Sequence, residues 1–251
     1  MLSRCKNLDQ VFLDESFIRE KHLKVHPESL VEARKIEDNC IAAKLKKERF
    51  DIFFVNMRAK SNFLDIIHDP FAMQSSLVCL VQTGLETNEV FQWPGRRCMP
   101  HASSGYGKGV CCLTDEKQNT LFRTRLVREH FQLMKVTMRD KFQIFVVYIS
   151  PNQNYQVFQE ISEAIDELIM PGFEILIFGD FNFQENIEKP NPLSSYLKYL
   201  GLKQIITDPT FALGHNTIDH VYMRPSLENI ITVSYRFNYY TDHCSFNLSI
   251  K

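Results

Sequence analysis

The sequence predicts an α+β fold, a four-layer α/β sandwich of two packed, mainly antiparallel sheets flanked by helices. Three observations lead there. From Phe50 onward the chain consists of short apolar runs of strand length, separated by turn signals. Strand-like runs far outnumber helical ones, and several follow one another directly. The 251 residues are 44% hydrophobic and include 20 Phe, enough apolar surface for a sizeable core.

The elements follow in order. Residues 1–49 read as an N-terminal extension. Beyond Pro27, Ser29 and Glu32 have capping-box spacing, and a charged helical stretch runs to about Glu48. Its apolar positions, such as Leu30, Ala33, Ile36 and Ile41, form only a narrow stripe, fit for loose docking on a domain or a partner. Residues 50–251 read as one domain. The apolar runs predict strands at 52–55, Leu77–Val81, 109–113, Phe131–Met138, Phe142–Ile149, 175–178, 220–222 and 244–250. Helices are predicted at 63–67, at Tyr155–Leu168 after the entry turn Ser150-Pro151-Asn152, and at 193–200.

Composition narrows the function classes. A formal net charge of −1 gives no global sign of a nucleic-acid binder. Local basic stretches, Arg96-Arg97 and the positions Arg123, Arg125 and Arg128, serve either nucleic acid or a solvated face. Seven Cys without C-x-x-C spacing read as free thiols of a reducing compartment, with Cys111-Cys112 in the core. No long apolar stretch or signal-peptide core is visible, so the expectation is a soluble intracellular chain with no membrane partner.

Residues 175–183 carry the strongest chemical signal. An apolar run stops at Gly179 and presents a carboxylate, Asp180, and an amide, Asn182. Strand alternation would put both on one face, as a hard cation or a phosphate beside one requires. The same residues also read as an Asp-x-Asn turn that satisfies local backbone. Polar groups recur at other strand ends: Asn56, Tyr148, Asp219-His220 and Asp242-His243. Packed sheets align strand ends along one edge, so these groups can converge. Taken singly, Tyr148 reads as a buried strand tyrosine, Asp242-His243 as a turn, and His220 as packing.

In order, Val55-Asn56-Met57-Arg58, residues 77–83, Gly107-Lys108-Gly109-Val110, Val147-Tyr148-Ile149-Ser150-Pro151-Asn152, Gly179-Asp180-Phe181-Asn182, Ile218-Asp219-His220-Val221 and Thr241-Asp242-His243 resemble the motifs of the endonuclease/exonuclease/phosphatase (DNase I-like) superfamily, which includes abasic-site and retroelement endonucleases. The resemblance implies His243 as general base, Asp219 as the acceptor that orients it, and Asp180 as the group that orients the water. Asn182 and Tyr148 would hold the phosphate as catalytic and substrate-binding residues. Asn56 and Asp242 would help hold a divalent ion, Mg²⁺ or Mn²⁺ in its place. DNA is the implied partner.

The chain departs from the pattern at one position. Where the superfamily has the metal's principal glutamate, this chain reads Cys79-Leu80-Val81-Gln82-Thr83. Gln82 keeps an oxygen but loses the charge that a small hydrated cation needs most. Glu86, four residues on, is out of register. An inactive pseudo-nuclease that binds nucleic acid, or a phosphatase of the same fold, therefore stands beside the Mg²⁺-dependent endonuclease. The stretch Leu2-Ser3-Arg4-Cys5-Lys6-Asn7-Leu8-Asp9-Gln10-Val11 resembles the last motif of Helitron-type helicases, implying mobile-element origin, an upstream helicase module and nuclear location. The alternative is a coincidental strand and helix.

Overall fold

The computed structural model describes residues 49–86, 89–101, 108–115, 122–138, 142–185 and 188–251. The N-terminal extension, its charged helix and the helicase-like stretch lie outside the described residues.

Among the described residues, twelve strands form two six-stranded sheets. The first has the order β11-β12-β1-β2-β4-β3, built from β1 (Phe50–Asn56), β2 (Leu77–Val81), β3 (Arg96–His101), β4 (Val110–Asp115), β11 (Ile231–Asn238) and β12 (Thr241–Ile250). The second has the order β5-β6-β7-β8-β10-β9, built from β5 (Phe122–Val127), β6 (Phe131–Met138), β7 (Phe142–Ile149), β8 (Glu174–Asp180), β9 (Lys203–Gln204) and β10 (Asp219–Met223). Each sheet contains one parallel pair, β1 with β2 and β7 with β8, and is otherwise antiparallel.

Period-two alternation decides which side chains fill the sandwich. Ile52, Phe54, Cys79 and Val81 of the first sheet face Ile144, Val146, Leu176 and Phe178 of the second in one buried cluster. Phe54 meets Phe178 edge-on at 5.5 Å and stacks on Phe246 at 5.4 Å. Each such fully buried side chain contributes about 1.5–3 kcal/mol.

The opposite faces are covered by helices. On the first sheet these are α1 (Phe63–Ile66) and α2 (Pro70–Gln74), over Phe53, Val55 and Leu80. On the second they are α3 (Tyr155–Leu168) and α4 (Pro192–Tyr199), over Phe145, Val147 and Ile177. The caps are visible in the sequence: Asn154 accepts from Val157 N, Asn191 from Ser194 N, and Asp69 from Phe71 N and Ala72 N.

Arg96, a candidate nucleic-acid contact by sequence, is instead structural. Its guanidinium donates to the carbonyls of Ala72, Met73 and Ser75 at the C-terminal end of α2 and lies over Trp93.

Asp69 has a second task. Buried at 5% exposure, it accepts both branches of a contact from Arg236 Nη2 (2.6 and 2.5 Å) and one from Tyr240 Oη (2.8 Å), tying α2 to β11 and to the chain entering β12. Asp69→Ala removes the cap and leaves Arg236 and Tyr240 without their acceptor. The expected loss is about 2–4 kcal/mol, read from the midpoint of urea unfolding.

Candidate active site

The parallel strands β7 and β8 and the antiparallel β10 end together, and their registers line up a row of side chains. Asp180 is the strand partner of Tyr148 on one side and of Asp219 on the other. Two carboxylates directly opposite on neighbouring strands repel, and both are buried. A fold alone gains nothing from this placement. Burial, and then the charge of Asp219, push the Asp180 carboxyl up to about 7, against the pull of His243 and of the Asn182 and Asn56 donors. Burial likewise raises Asp219, which His243 and Thr210 draw back down.

His243 comes from β12, in the other sheet. Its Nδ1 lies 2.8 Å from Asp219 Oδ2, so an ionised Asp219 fixes the tautomer with Nδ1 as donor and Nε2 as acceptor. Burial is the largest influence on this ring and would lower its pKa. The carboxylates of Asp219, Asp180 and Asp242 outweigh it, and the ring is held above its ordinary value. Thr210 supports the pair: its hydroxyl accepts from Ile218 N and Asp219 N, and its carbonyl accepts from Cys244 N. No motif marks Thr210, and sequence reasoning missed it.

Asn56, at the end of β1, bridges the two sheets. Its Nδ2 donates to Asp180 Oδ2 at 2.7 Å and lies 3.3 Å from His243 Nε2, while its Oδ1 accepts from Arg58 N at 2.9 Å. Arg58 takes a left-handed φ of 58°, which costs a non-glycine residue about 1–2 kcal/mol. Its guanidinium pairs with Asp242. In the sequence Arg58 lies within a motif that gives it no role. The signal for one was a cation two residues after a site asparagine.

Asn182 and Asp180 do meet, but by a turn. β8 ends at Asp180, and Asn182 has φ 52°, so strand alternation does not relate them. Asn182 N donates to Asp180 Oδ1 (2.9 Å), and Asn182 Nδ2 donates to Ile149 O (2.8 Å) and Asp180 Oδ2 (3.1 Å). The Asp-x-Asn turn and the shared site are therefore one feature. Tyr148 is both a buried tyrosine and part of the site. Its hydroxyl accepts from Gln82 Nε2 at 3.1 Å, and burial, then Asp180, hold its proton more tightly than usual.

His220 points to the other face of β10. It stacks on Phe181 at 4.8 Å, with its ring nitrogens 3.1 Å from Tyr222 Oη and 3.0 Å from Thr217 O, and burial lowers it to about 4. Glu86 is exposed, and its N–H closes a turn onto Glu89 rather than onto the site.

Among the described residues, one group of possible ion ligands has its atoms within 4.8 Å of one another: Asp180, Asp219 and His243. The three residues that the resemblance assigns to the ion are arranged differently. Asn56 Oδ1 already accepts from Arg58 N, Gln82 turns its amide nitrogen to Tyr148, and Asp242 is paired with a guanidinium. As placed, Asn56, Gln82 and Asp242 offer one carboxylate, already neutralised, and do not fit a resident Mg²⁺.

A hollow of about 270 Å³ opens beside Asn182, with Ser150, Asn152, Phe183, Gln184 and Asn191 in its wall.

No protein-family model and no curated protein sequence matches this chain. Solved structures do. The 3′ phosphatase NExo from Neisseria, bound to product DNA hairpin, superposes with a TM-score of 0.63 at 14% identity, covering 80% of this chain and 99% of that one. An AP endonuclease from Archaeoglobus fulgidus gives 0.59 at 13%, covering 79% and 98%. The endonuclease domain of TRAS1, a telomere-specific non-LTR retrotransposon, gives 0.56 at 15%, covering 81% and 98%. At such identities the likeness is one of fold, and the fold of this chain is that of the endonuclease/exonuclease/phosphatase, DNase I-like proteins.

Proposed function

We propose that this protein hydrolyses phosphodiester bonds of DNA as an endonuclease of mobile-element origin. One observation carries the reading: two buried, mutually repelling carboxylates are held around a buried histidine whose Nδ1 is fixed by Asp219, so that Nε2, with Asn56 Nδ2 at 3.3 Å, is the acceptor. In this mechanism His243 Nε2 takes the proton of an attacking water, and Asp219 stabilises the imidazolium that forms. Asp180 orients the water. A new O–P bond forms, the opposite P–O bond breaks, and the leaving oxygen takes up a proton. Tyr148 and Asn182 border the phosphate and position it. The residues expected to hold magnesium present it no unpaired carboxylate, and the roles above fall to the chain's own side chains.

The test is nicking of supercoiled plasmid by wild type and Asp180→Asn. Nicking by wild type that Asp180→Asn loses supports the proposal. A wild type that binds plasmid without nicking it supports the pseudo-nuclease reading, which the neutral Gln82 favours.

Asp180→Asn also has an expected effect on stability. The folded pKa of Asp180 lies near 7, above the ordinary 3.8, so between these values the folded state binds more protons than the unfolded one. Stability from this group is therefore present at low pH and is lost as pH rises through about 7. Asparagine carries no charge to bury. Its NH₂ must face one of the donors Asn182 N, Asn182 Nδ2 or Asn56 Nδ2, a cost equal at every pH. Relative to wild type, the variant is therefore expected to be more stable at pH 8 than at pH 5 by on the order of 1–4 kcal/mol, read from Tm. A Tm that falls equally at both pH values would contradict the charge argument.

A further inference from the structure

We infer that Arg58 is the resident cation of this site, guarding Asp242 against divalent ions in the free protein and meeting the substrate phosphate with its guanidinium. The phosphate half rests on the phosphodiesterase reading. The guarding half stands without it.

Three observations converge on this side chain. Its backbone is held in a left-handed conformation by the hydrogen bond from Arg58 N to Asn56 Oδ1, so a site residue sets the direction in which Arg58 leaves the strand. Its Nη1 pairs with Asp242, the single carboxylate left at the position where the resemblance expects a metal, and Gln82 brings no charge there. Its charge is felt at Tyr148, where it opposes the effects of burial and Asp180. The guanidinium therefore lies within electrostatic reach of both Asp242 and Tyr148.

The charge balance gives the arrangement a purpose. Asp180, Asp219 and Asp242 would together repel an approaching phosphodiester. His243 is internal to the cluster, at 3% exposure, whereas the Arg58 side chain is 45% exposed. Asp242 engages it through Nη1, which leaves Nη2 and Nε of the planar fork for phosphate oxygens. A guanidinium also keeps its charge at any working pH and needs no carboxylate cage. A neutral Gln82 and an arginine on Asp242 then belong together: a built-in cation stands where an ion would otherwise have to be recruited.

Two binding measurements test this without relying on turnover. Mn²⁺ binding is followed by electron paramagnetic resonance for wild type, Arg58→Gln, and Arg58→Gln with Gln82→Glu. Binding of a fluorescent DNA duplex is followed in EDTA for wild type, Arg58→Gln and Arg58→Lys. Release of Asp242 is expected to tighten Mn²⁺ about tenfold in Arg58→Gln, and the added glutamate to tighten it further. Duplex affinity in EDTA is expected to fall about tenfold in Arg58→Gln and less in Arg58→Lys, which keeps the charge but loses the fork.

Mn²⁺ bound as tightly by wild type as by Arg58→Gln overturns the guarding role. Equal duplex affinity in wild type and Arg58→Gln overturns the phosphate role and leaves an ordinary surface ion pair. If wild type binds no DNA under any condition, the phosphodiesterase reading falls together with the phosphate half, and the Mn²⁺ comparison still decides the guarding half.

Discussion

His243→Ala is expected to reduce plasmid nicking by about 10²–10⁴-fold, the range that a positioned general base contributes. The size of the effect follows from how completely the ring is fixed. Nδ1 is committed to Asp219 at 2.8 Å, the side chain is 4% exposed, and Phe211 packs at 5.0 Å from the ring. His220 cannot take its place, because it faces the opposite side of β10 and stacks on Phe181. Asp219→Asn separates tautomer control from mere presence of the ring. An amide can offer its NH₂ to Nδ1, which would place the proton on Nε2 and remove the acceptor. The variant is therefore expected to lose most of the rate while far-UV and near-UV circular dichroism stay native. Nicking that survives His243→Ala within about threefold would mean that the base lies elsewhere.

Gly179→Ala is expected to abolish the folded state or cost about 4 kcal/mol or more, the exceptional end of single substitutions. A Cβ at Gly179 would lie 1.8 Å from Val147 O and 2.8 Å from Val147 N, both backbone atoms of the central strand β7. Such atoms cannot turn aside as a flexible side chain can. β7 and β8 would have to separate where their parallel pairing brings Tyr148 beside Asp180. The check is the denaturant midpoint of the purified variant, or its absence from the soluble fraction. By contrast, Gly95 and Gly172 have nothing within 4 Å of an added Cβ. If Gly179→Ala folds with an unchanged midpoint, the close approach of the two strands is not required.

What could be read in the sequence divides along the sheets. Leu77–Val81, Phe131–Met138, Phe142–Ile149 and Tyr155–Leu168 lie where their apolar patterns placed them, because interior strands and an amphipathic helix repeat their burial in their composition. All four edge strands escaped: β3, β11, β5 and β9. An edge needs no second partner, and its residues show it, with Pro100 in β3, Arg123 and Arg125 in β5, and the exposed Tyr235 and Phe237 in β11. The basic positions Arg123 and Arg125 thus belong to an edge strand.

The site was legible as a set of strand ends, since Asn56, Tyr148, Asp180, Asp219 and His243 all converge. Its wiring was not. The bridge from Asn56 to Asp180 joins residues 124 apart in sequence, and the directions of Asn182, Gln82 and Arg58 depend on left-handed backbone that composition does not announce.

The site is shared between the two sheets, and that has a consequence beyond chemistry. Asn56 to Asp180, His243 to Asp219 and Gln82 to Tyr148 each run from the first sheet to the second. The rim of the sandwich is laced by the same bonds that arrange the candidate site. Loosening in the middle, at Phe54 or Phe178, would reach the rim as a change in alignment while every strand kept its own ladder. Turnover in this molecule would thus act as a gauge of how tightly two otherwise self-sufficient sheets are pressed together.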